Sequence, residues 1–321
     1  MVLPVITKRR RRWAIFATFW IPFAAWRRAW RGVIQLGVRQ YRDVLRCDNN
    51  RQFDSTLAIA AIMKNEGLYL KEWLDFHILV GVDNFYLYDN GSDDNSREIL
   101  APYIARGIVE YTWWPGKQMQ NAAYVDAINR HDQDVRWMAL VDLDEFIVPV
   151  YHKTIPEFLY SLPSGFAQLI MTWVIYGSGG HVTRPDGLVI ENYKYHSAKS
   201  WGVKSIINPR LALCQHSAHA NAVAGFTIDE NGRRLGHIDQ TNNPPTWNRI
   251  RCNHYITKSQ EEYQARCARS DSGRGANPEW IKILNQRFAQ SDCNDVFDKI
   301  MDPFIERMKQ NNVAAACSGN V

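Results

Sequence analysis

The segment ALVDLDEFIV, residues 139–148, sets three carboxylates inside an apolar run: Asp142, Asp144 and Glu145. A carboxylate moved into an apolar interior without a partner is costly, so a compensating cation is expected there. Residues i and i+2 of an extended strand share a face. Where the strand ends, a bend lets Asp142 and Asp144 converge on a hard divalent ion. Mg²⁺ and Mn²⁺ take oxygen ligands from one or two carboxylates and complete their shells with phosphate oxygens. Such pairs also arise in surface loops, and it is the apolar flanks that place this one at a sheet edge.

The elements that would position these acids are legible upstream. Apolar runs at 57–63, 84–90, 107–114 and 136–142 read as strands. Between them, 67–81, 93–104 and 120–132 carry apolar residues at helical spacing. Strand and helix in alternation imply an α/β fold with a mostly parallel sheet and right-handed crossovers. Ligands of such sheets bind outside the carboxyl ends of the strands. That rule gathers Lys64, Asn65 and Glu66 after the first strand, Asp89 and Asn90 after the second, and the aspartates after the fourth. Asp89-Asn90-Gly91 also has the composition of a plain turn. Later, 166–180 is a strand running into glycines, 225–237 a hairpin around Asn231-Gly232, 258–269 a helix, and 294–310 a helix broken near Pro303. One catalytic domain over 55–275 is expected, with an N-terminal segment 1–46 and a helical C-terminal extension 276–321.

An ordered series of motifs runs through this region. K-N-E at 64–66 is followed by W-x-x-x-H at 73–77, Y-D-N-x-S-x-D from Tyr88 and Q-x-x-x-Y at 120–124. D-L-D-E-F, W-x-x-Y-G-S-x-G-H at 173–181, K-S-I at 204–206 and N-H-Y-x-x-K-S at 253–259 complete it. Over roughly 57–270 the chain resembles the nucleotide-sugar glycosyltransferases of GT-A fold, in particular glycosyltransferase family 92 and its family-2-like relatives.

The resemblance implies a Rossmann-like sheet flanked by helices and a nucleotide-sugar donor, with UDP the expected carrier. It implies donor contacts from Lys64, Asn65, Glu66, Asp89, Asn90, Gln120 and Asp142, with Lys204 and Lys258 as candidate point charges on the diphosphate. Asp142, Asp144 and His254 are the implied metal ligands, for Mn²⁺ or Mg²⁺, and the metal would assist departure of the nucleoside diphosphate. Trp173 with Gly180 and His181 is the candidate sugar-facing loop, although a core tryptophan before a turn fits the same residues. His216 and His219 are better read as non-metal residues, since no acid accompanies them. Inversion of configuration, which the resemblance implies, calls for one carboxylate as general base. Glu145 and Glu191 are the first candidates, and spacing does not choose between them and Asp186, Asp229, Glu230 and Asp239. A metal-dependent phosphodiesterase or nucleotidyltransferase would also use paired aspartates, and a non-catalytic glycan-binding module is a third reading.

The 321 residues allow one large domain, and 46% hydrophobic content allows a substantial core. Six scattered cysteines without a C-x-x-C fit reduced thiols better than a zinc site or disulfide frame. The net charge of +5 is unevenly spread, because residues 1–46 hold eleven Lys/Arg and only Asp43. KRRRR at 8–12 precedes the apolar run 13–26, which is interrupted by Pro22 and followed by RRAWRG. A helix of fourteen residues would reach about 21 Å, short of a hydrocarbon core of roughly 30 Å. Tryptophans among arginines suit the headgroup boundary, so residues 8–31 are expected to lie on an anionic membrane surface. That places the protein in the cytoplasm at the inner face, beside a lipid-linked or lipopolysaccharide-type acceptor in cell-surface glycan synthesis. A single-pass anchor and a helix packed on the domain are the alternatives. No nucleic-acid recognition motif accompanies the basic run.

Overall fold

The structure is a computed structural model and describes residues 3–4, 6–215, 218–236, 246–270 and 278–318. Three helices come first, α1 (Lys8–Thr18), α2 (Ala24–Leu36) and α3 (Val38–Asn50). Alternation follows: β1 (Ser55–Met63), α4 (Gly67–Leu79), β2 (Asn84–Asp89), α5 (Ser96–Ala105), β3 (Val109–Trp113), α6 (Gln120–His131) and β4 (Val135–Leu140). Then come β5 (Glu145–Pro149), α7 (Ile155–Ser161), β6 (Gln168–Ile175), α8 (Val189–Asn192), β7 (Tyr195–His196) and β8 (Val203–Ile207). A 3₁₀ turn over Pro209–Leu211 leads to β9 (Ala212–Gln215), β10 (Asn221–Val223), β11 (Thr227–Ile228) and β12 (Ile250–His254). The chain ends with α9 (Gln260–Ser270), α10 (Pro278–Ser291), β13 (Val296–Phe297) and α11 (Asp302–Ser318).

The main sheet runs β3-β2-β1-β4-β8-β6-β12-β5, with β11 beside β6. The first four strands are parallel. This is the α/β fold with a Rossmann-like half that the motifs imply. Beyond β4 the sheet becomes mixed, because β8 enters antiparallel between β4 and β6, and β5 lies antiparallel to β12 at the far end. Period-2 alternation explains the layers. Leu57, Ile59, Ala61 and Met63 of β1 face the α4 side, while Ala58 and Ala60 face α6. Both faces are covered, so the strand reads as a continuous apolar run.

Three local expectations change. The apolar stretch 13–26 is not one helix: α1 stops at Thr18, residues 19–23 turn, and α2 restarts at Ala24. Pro22 lacks an N–H and sits in that turn. Among the described residues, no helix is long and apolar enough to cross a membrane. ALVDLDEFIV is two strands, with a turn at Asp142–Asp144 between β4 and β5. At the C-terminus, Pro303 starts a helix rather than breaking one, since the first helical turn needs no N–H. Residues 296–297 pair with β7 instead. Met301, Phe304, Ile305 and Met308 then join the main core.

The N-terminal helices are welded to the sheet. Asp48 of α3 accepts from Arg210 Nε at 2.7 Å and from Asn208 Nδ2 at 2.5 Å. The same guanidinium donates to the carbonyls of Asp132, Val135 and Arg136. Both charged groups are nearly inaccessible to solvent. Asp48→Ala leaves that guanidinium without its counter-charge and should cost about 3–5 kcal/mol. A urea unfolding midpoint shifted by less than a third of that would show that α3 is not held this way.

Candidate functional site

The parallel strands β1 and β4 are the topological switch of the sheet, and ligands of such sheets bind in the crevice outside the carboxyl ends there. Lys64–Glu66 follow β1, and Val141–Asp144 follow β4. In the turn, Glu145 N–H donates to Asp142 O at 3.2 Å. That turn parts the two aspartates of D-L-D, and they do not converge as the spacing suggests. The carboxylate of Asp142 faces back toward β8, whereas that of Asp144 faces β12.

Asp142 accepts from Gln120 Nε2 at 2.6 Å and Tyr124 OH at 3.2 Å through Oδ1, and from Lys204 Nζ at 2.8 Å through Oδ2. Lys204 is wholly buried and also stands 3.3 Å from Glu145 Oε2. Burial alone would lower the Lys204 pKa, but Glu145 and Asp142 raise it well above its ordinary value, so the ammonium stays charged. Thus Lys204, a candidate for the donor diphosphate, is instead spent on two carboxylates beneath the crevice floor.

Asp144, Glu145 and His254 each offer an atom within 4.8 Å of the others. The antiparallel register explains this, since His254 stands directly opposite Glu145 and cross-strand partners share a face. His254 Nε2 lies 3.4 Å from Asp144 Oδ2, and its Nδ1 lies 4.0 Å from Glu145 Oε1. Both His254 Nδ1 and Glu145 Oε1 are buried without a hydrogen-bond partner. Burial opposes the charged imidazole, yet Asp144 and Glu145 raise the His254 pKa. Burial likewise opposes the Asp144 carboxylate, and His254, Arg266 and Lys258 hold its pKa well below the usual range. A carboxylate oxygen and an imidazole nitrogen at this spacing suit a divalent ion, and borderline Mn²⁺ accepts both donors. Glu145 stands behind the ring, where a metal-bound histidine needs a carboxylate to fix its orientation.

Glu145 is completely buried, with Oε2 accepting the Asp142 N–H at 2.9 Å. Burial raises its pKa to about 7 against the pull of Lys204. Its carboxylate is closed to solvent, where a base for an acceptor hydroxyl would need to reach the surface of the site. Helix α4 holds it in place through W-x-x-x-H. Trp73 Nε1 donates to Glu145 O at 2.8 Å. The ring of His77 donates from Nδ1 to Trp73 O and accepts the Ile147 N–H at Nε2. Burial drops the His77 pKa to about 3, so the neutral form serves both bonds. The i, i+4 spacing signalled this pair, but its role as a clamp on β5 was not readable from it.

Other candidates are placed as follows. Asp89 is filled by the Ser92 N–H and Tyr111 OH, and Asn90 Nδ2 by the carbonyls of Trp114 and Gly116. Asn65, at φ 55°, exchanges bonds with Asp93. These side chains tie the β1–α4 and β2–α5 loops together, so any donor contact there falls to backbone and to the exposed Lys64, with Glu66 preceding α4. Lys258 lies over the Tyr69 ring at 3.9 Å. Glu191 pairs with Lys309 of α11 at 2.6 Å and is not among the clustered metal-ligand atoms. Of the other acids considered, Glu230 accepts three backbone N–H groups and Asp229 pairs with Arg233. Asp239 and His216 lie outside the described residues.

Trp173 packs on His254 with ring centroids 4.4 Å apart, and His219 meets its other side at 5.0 Å. Gly180 is exposed at φ 87°, and His181 packs on Tyr193. The loop they share is held from below, where Ser178 Oγ donates to Asp292 at 2.9 Å and Gly179 N–H to Asn294 at 2.8 Å. Arg266 of α9 was not anticipated; it reaches Asp144 at 3.1 Å, and nothing in its helical spacing marks it.

The family model of glycosyltransferase family 92 matches residues 55–264. Relatives named as glycosyltransferase family 92 proteins include one from Oryza sativa, 27% identical over 51% of this chain and 30% of its own length. Others are from Arabidopsis thaliana (28%; 57% and 32%) and Ricinus communis (25%; 72% and 39%). The chain thus spans about a third of the length of these curated relatives. Among solved structures, S. aureus TarS 1-349 in complex with UDP is 11% identical, covering 49% of this chain and 47% of that one at a TM-score of 0.32. GalNAc-T7 with UDP, GalNAc and Mn²⁺ is also 11% identical, covering 80% and 57% at a TM-score of 0.36. The family match extends over more than half of the sequence, and the chain belongs to glycosyltransferase family 92.

Gly202 tests the wall of the site, because a Cβ there would fall inside the Trp173 ring. Gly202→Ala should push the indole from His254 and cost about 1–3 kcal/mol. Thermal unfolding and tryptophan emission check this; unchanged values for both would mean the ring is free to yield.

Proposed function

We propose that this chain is a divalent-cation-dependent hexosyltransferase. It transfers a sugar from a nucleoside-diphosphate donor, UDP being the expected carrier, to a hydroxyl of a glycan with inversion. The observation that carries this reading is Asp144 Oδ2 and His254 Nε2 set 3.4 Å apart on the crevice, with the Glu145 carboxylate buried behind the ring. Asp144 and His254 would hold the cation, which when bound supplies Lewis-acid neutralisation of the leaving diphosphate.

The remaining work falls to the chain's own residues. Asp142 is partly exposed and its carboxylate is held in place by Gln120, Tyr124 and Lys204. A carboxylate so fixed suits a donor ribose hydroxyl, which it would accept without reorganising. Lys64 is exposed at the end of β1 and free to approach a phosphate. Trp173 packs on His254 and shields its ring from water. Arg266 now pairs with Asp144 Oδ2, so its side chain would give up that oxygen to a bound cation.

The full chain is assayed with Mn²⁺ and a panel of nucleotide sugars, reading nucleoside diphosphate release with and without glycan acceptors. Acceptor-stimulated release is expected, with the anomeric configuration of the product inverted by NMR. Release that never depends on a sugar acceptor would mean phosphoester hydrolysis instead. Asp144→Asn removes several kcal/mol of charge stabilisation and should lower turnover on the order of 100-fold or more. Glu145→Gln separates two roles. A carboxylate that orients His254 predicts Mn²⁺ affinity weakened by about 10–100-fold, read by EPR titration without donor. Unaltered affinity with collapsed turnover would return Glu145 to the chemistry.

A further inference from the structure

The α1–α2 hairpin leaves one face with no protein partner among the described residues. Phe16, Phe19, Trp20 and Phe23, around its turn, are each between 66% and 70% exposed. Trp13 and Trp30 are also exposed, whereas Trp26 packs on Phe226 of the domain and helps hold the hairpin there. The opposite face of α2 is pinned to the domain, since a Cβ on Gly32 would meet the Val223 carbonyl and Val33 and Leu36 are buried. The turn is therefore presented by a fixed support.

Between this hairpin and the β9–β10 ribbon lies a cavity of about 410 Å³, lined by Arg11, Arg27, Arg28 and Arg31. Ile15 and Ala24 also line it, so it opens beside the aromatic turn. Among the described residues no carboxylate lines it and none of the four arginines forms an ion pair. Arg27 donates to Ile21 O, and Arg31 donates weakly to Thr18 Oγ1 at 3.4 Å. Arg28 is partly buried and forms no ion pair among the described residues, and burial lowers its pKa. Four guanidiniums around one cavity repel each other and have unused donors matched to phosphate oxygens. The aromatic rings beside them match the depth just below lipid headgroups.

We infer that this cavity binds the phosphate headgroup of an anionic membrane amphiphile, with the aromatic turn seated among its acyl chains. This goes beyond the donor chemistry above and does not depend on it. Phosphate in the cavity would satisfy Arg11 and Arg28, while the turn buries rings that now face water. A basic stripe that only attracts a charged surface would use all of Lys8–Arg12 equally. A cavity distinguishes the arginines that line it from those that do not.

The test uses the full chain and monomeric dihexanoyl phosphatidic acid, so that no membrane surface potential contributes. Binding is measured by calorimetry for the wild type, for Arg11→Gln/Arg28→Gln, and for Arg9→Gln/Arg12→Gln, which removes the same charge outside the cavity. The cavity variant should weaken binding by about tenfold or more, as expected for lost charge-assisted hydrogen bonds, and the control by less than about twofold. Phe19→Ser/Trp20→Ser should reduce flotation with phosphatidylglycerol vesicles while leaving binding of inorganic pyrophosphate unchanged. Equal losses in both arginine variants would overturn the cavity. Pyrophosphate binding as tight as the lipid, with no gain from acyl chains, would make this a free-anion site and overturn the membrane assignment. Nucleoside diphosphate release stimulated by a soluble glycan acceptor should persist in the cavity variant, so failure here is separable from failure of the catalytic reading.

Discussion

One ammonium shared between two carboxylates underlies the whole site. Lys204 meets Asp142 at 2.8 Å and Glu145 at 3.3 Å in a region closed to solvent on the lysine and glutamate sides. Each ion taken from water costs several kcal/mol, and geometry must be good for the pair to recover that. The structure answers with many small restraints. Gln120 and Tyr124 fill Asp142, the Asp142 N–H fills Glu145 Oε2, and Trp73 and His77 fix the strand that carries Glu145. Remove the ammonium and two carboxylates remain in an apolar bed. Lys204 and Glu145 balance each other beneath the partly exposed Asp142 and Asp144.

Much of this was legible. Alternating apolar runs and helical spacing marked β1 through β4 and α4 through α6, because those elements pair with near neighbours in the chain. The run ALVDLDEFIV marked an acidic cluster, and the structure brings Asp144 and Glu145 of it together with His254, which the ordered motifs had singled out. The break between β4 and β5 was not, since both halves are apolar and only the long-range pairing with β12 separates them. Lys204 looked like a free cation because a lysine between polar residues gives no hint of an antiparallel strand inserted beside β4. Asp89 and Asn90 looked like ligands, and the turn chemistry that absorbs them is what their composition also favours. Arg266 depends on how α9 approaches the sheet, which no local pattern records.

The family match ends at residue 264, but the domain does not. Gly177 lies against Cys293 and Asn294, leaving no room for a side chain, and Asp292 anchors Ser178. Arg251, Tyr176 and Asp298 join β12 to the segment before α11. At the other end, Arg210 binds α3 to the sheet while Gly32 lets α2 press on β10. Segments on both flanks are thus structural members of the catalytic body, and what they add is support for the loop beside Trp173 and a platform opposite it.

The register that sets His254 against Glu145 also dictates an order of events during synthesis. A ribosome releases the chain from its N-terminus, so β1 to β4 and their helices can assemble while β12 is still unmade. Until residue 254 emerges, β5 has no neighbour in the sheet and its glutamate remains in water. Loop closure over so long a stretch is slow. The costly burial of charge is therefore deferred to the last strand placed, when most of the apolar core is already available to drive it.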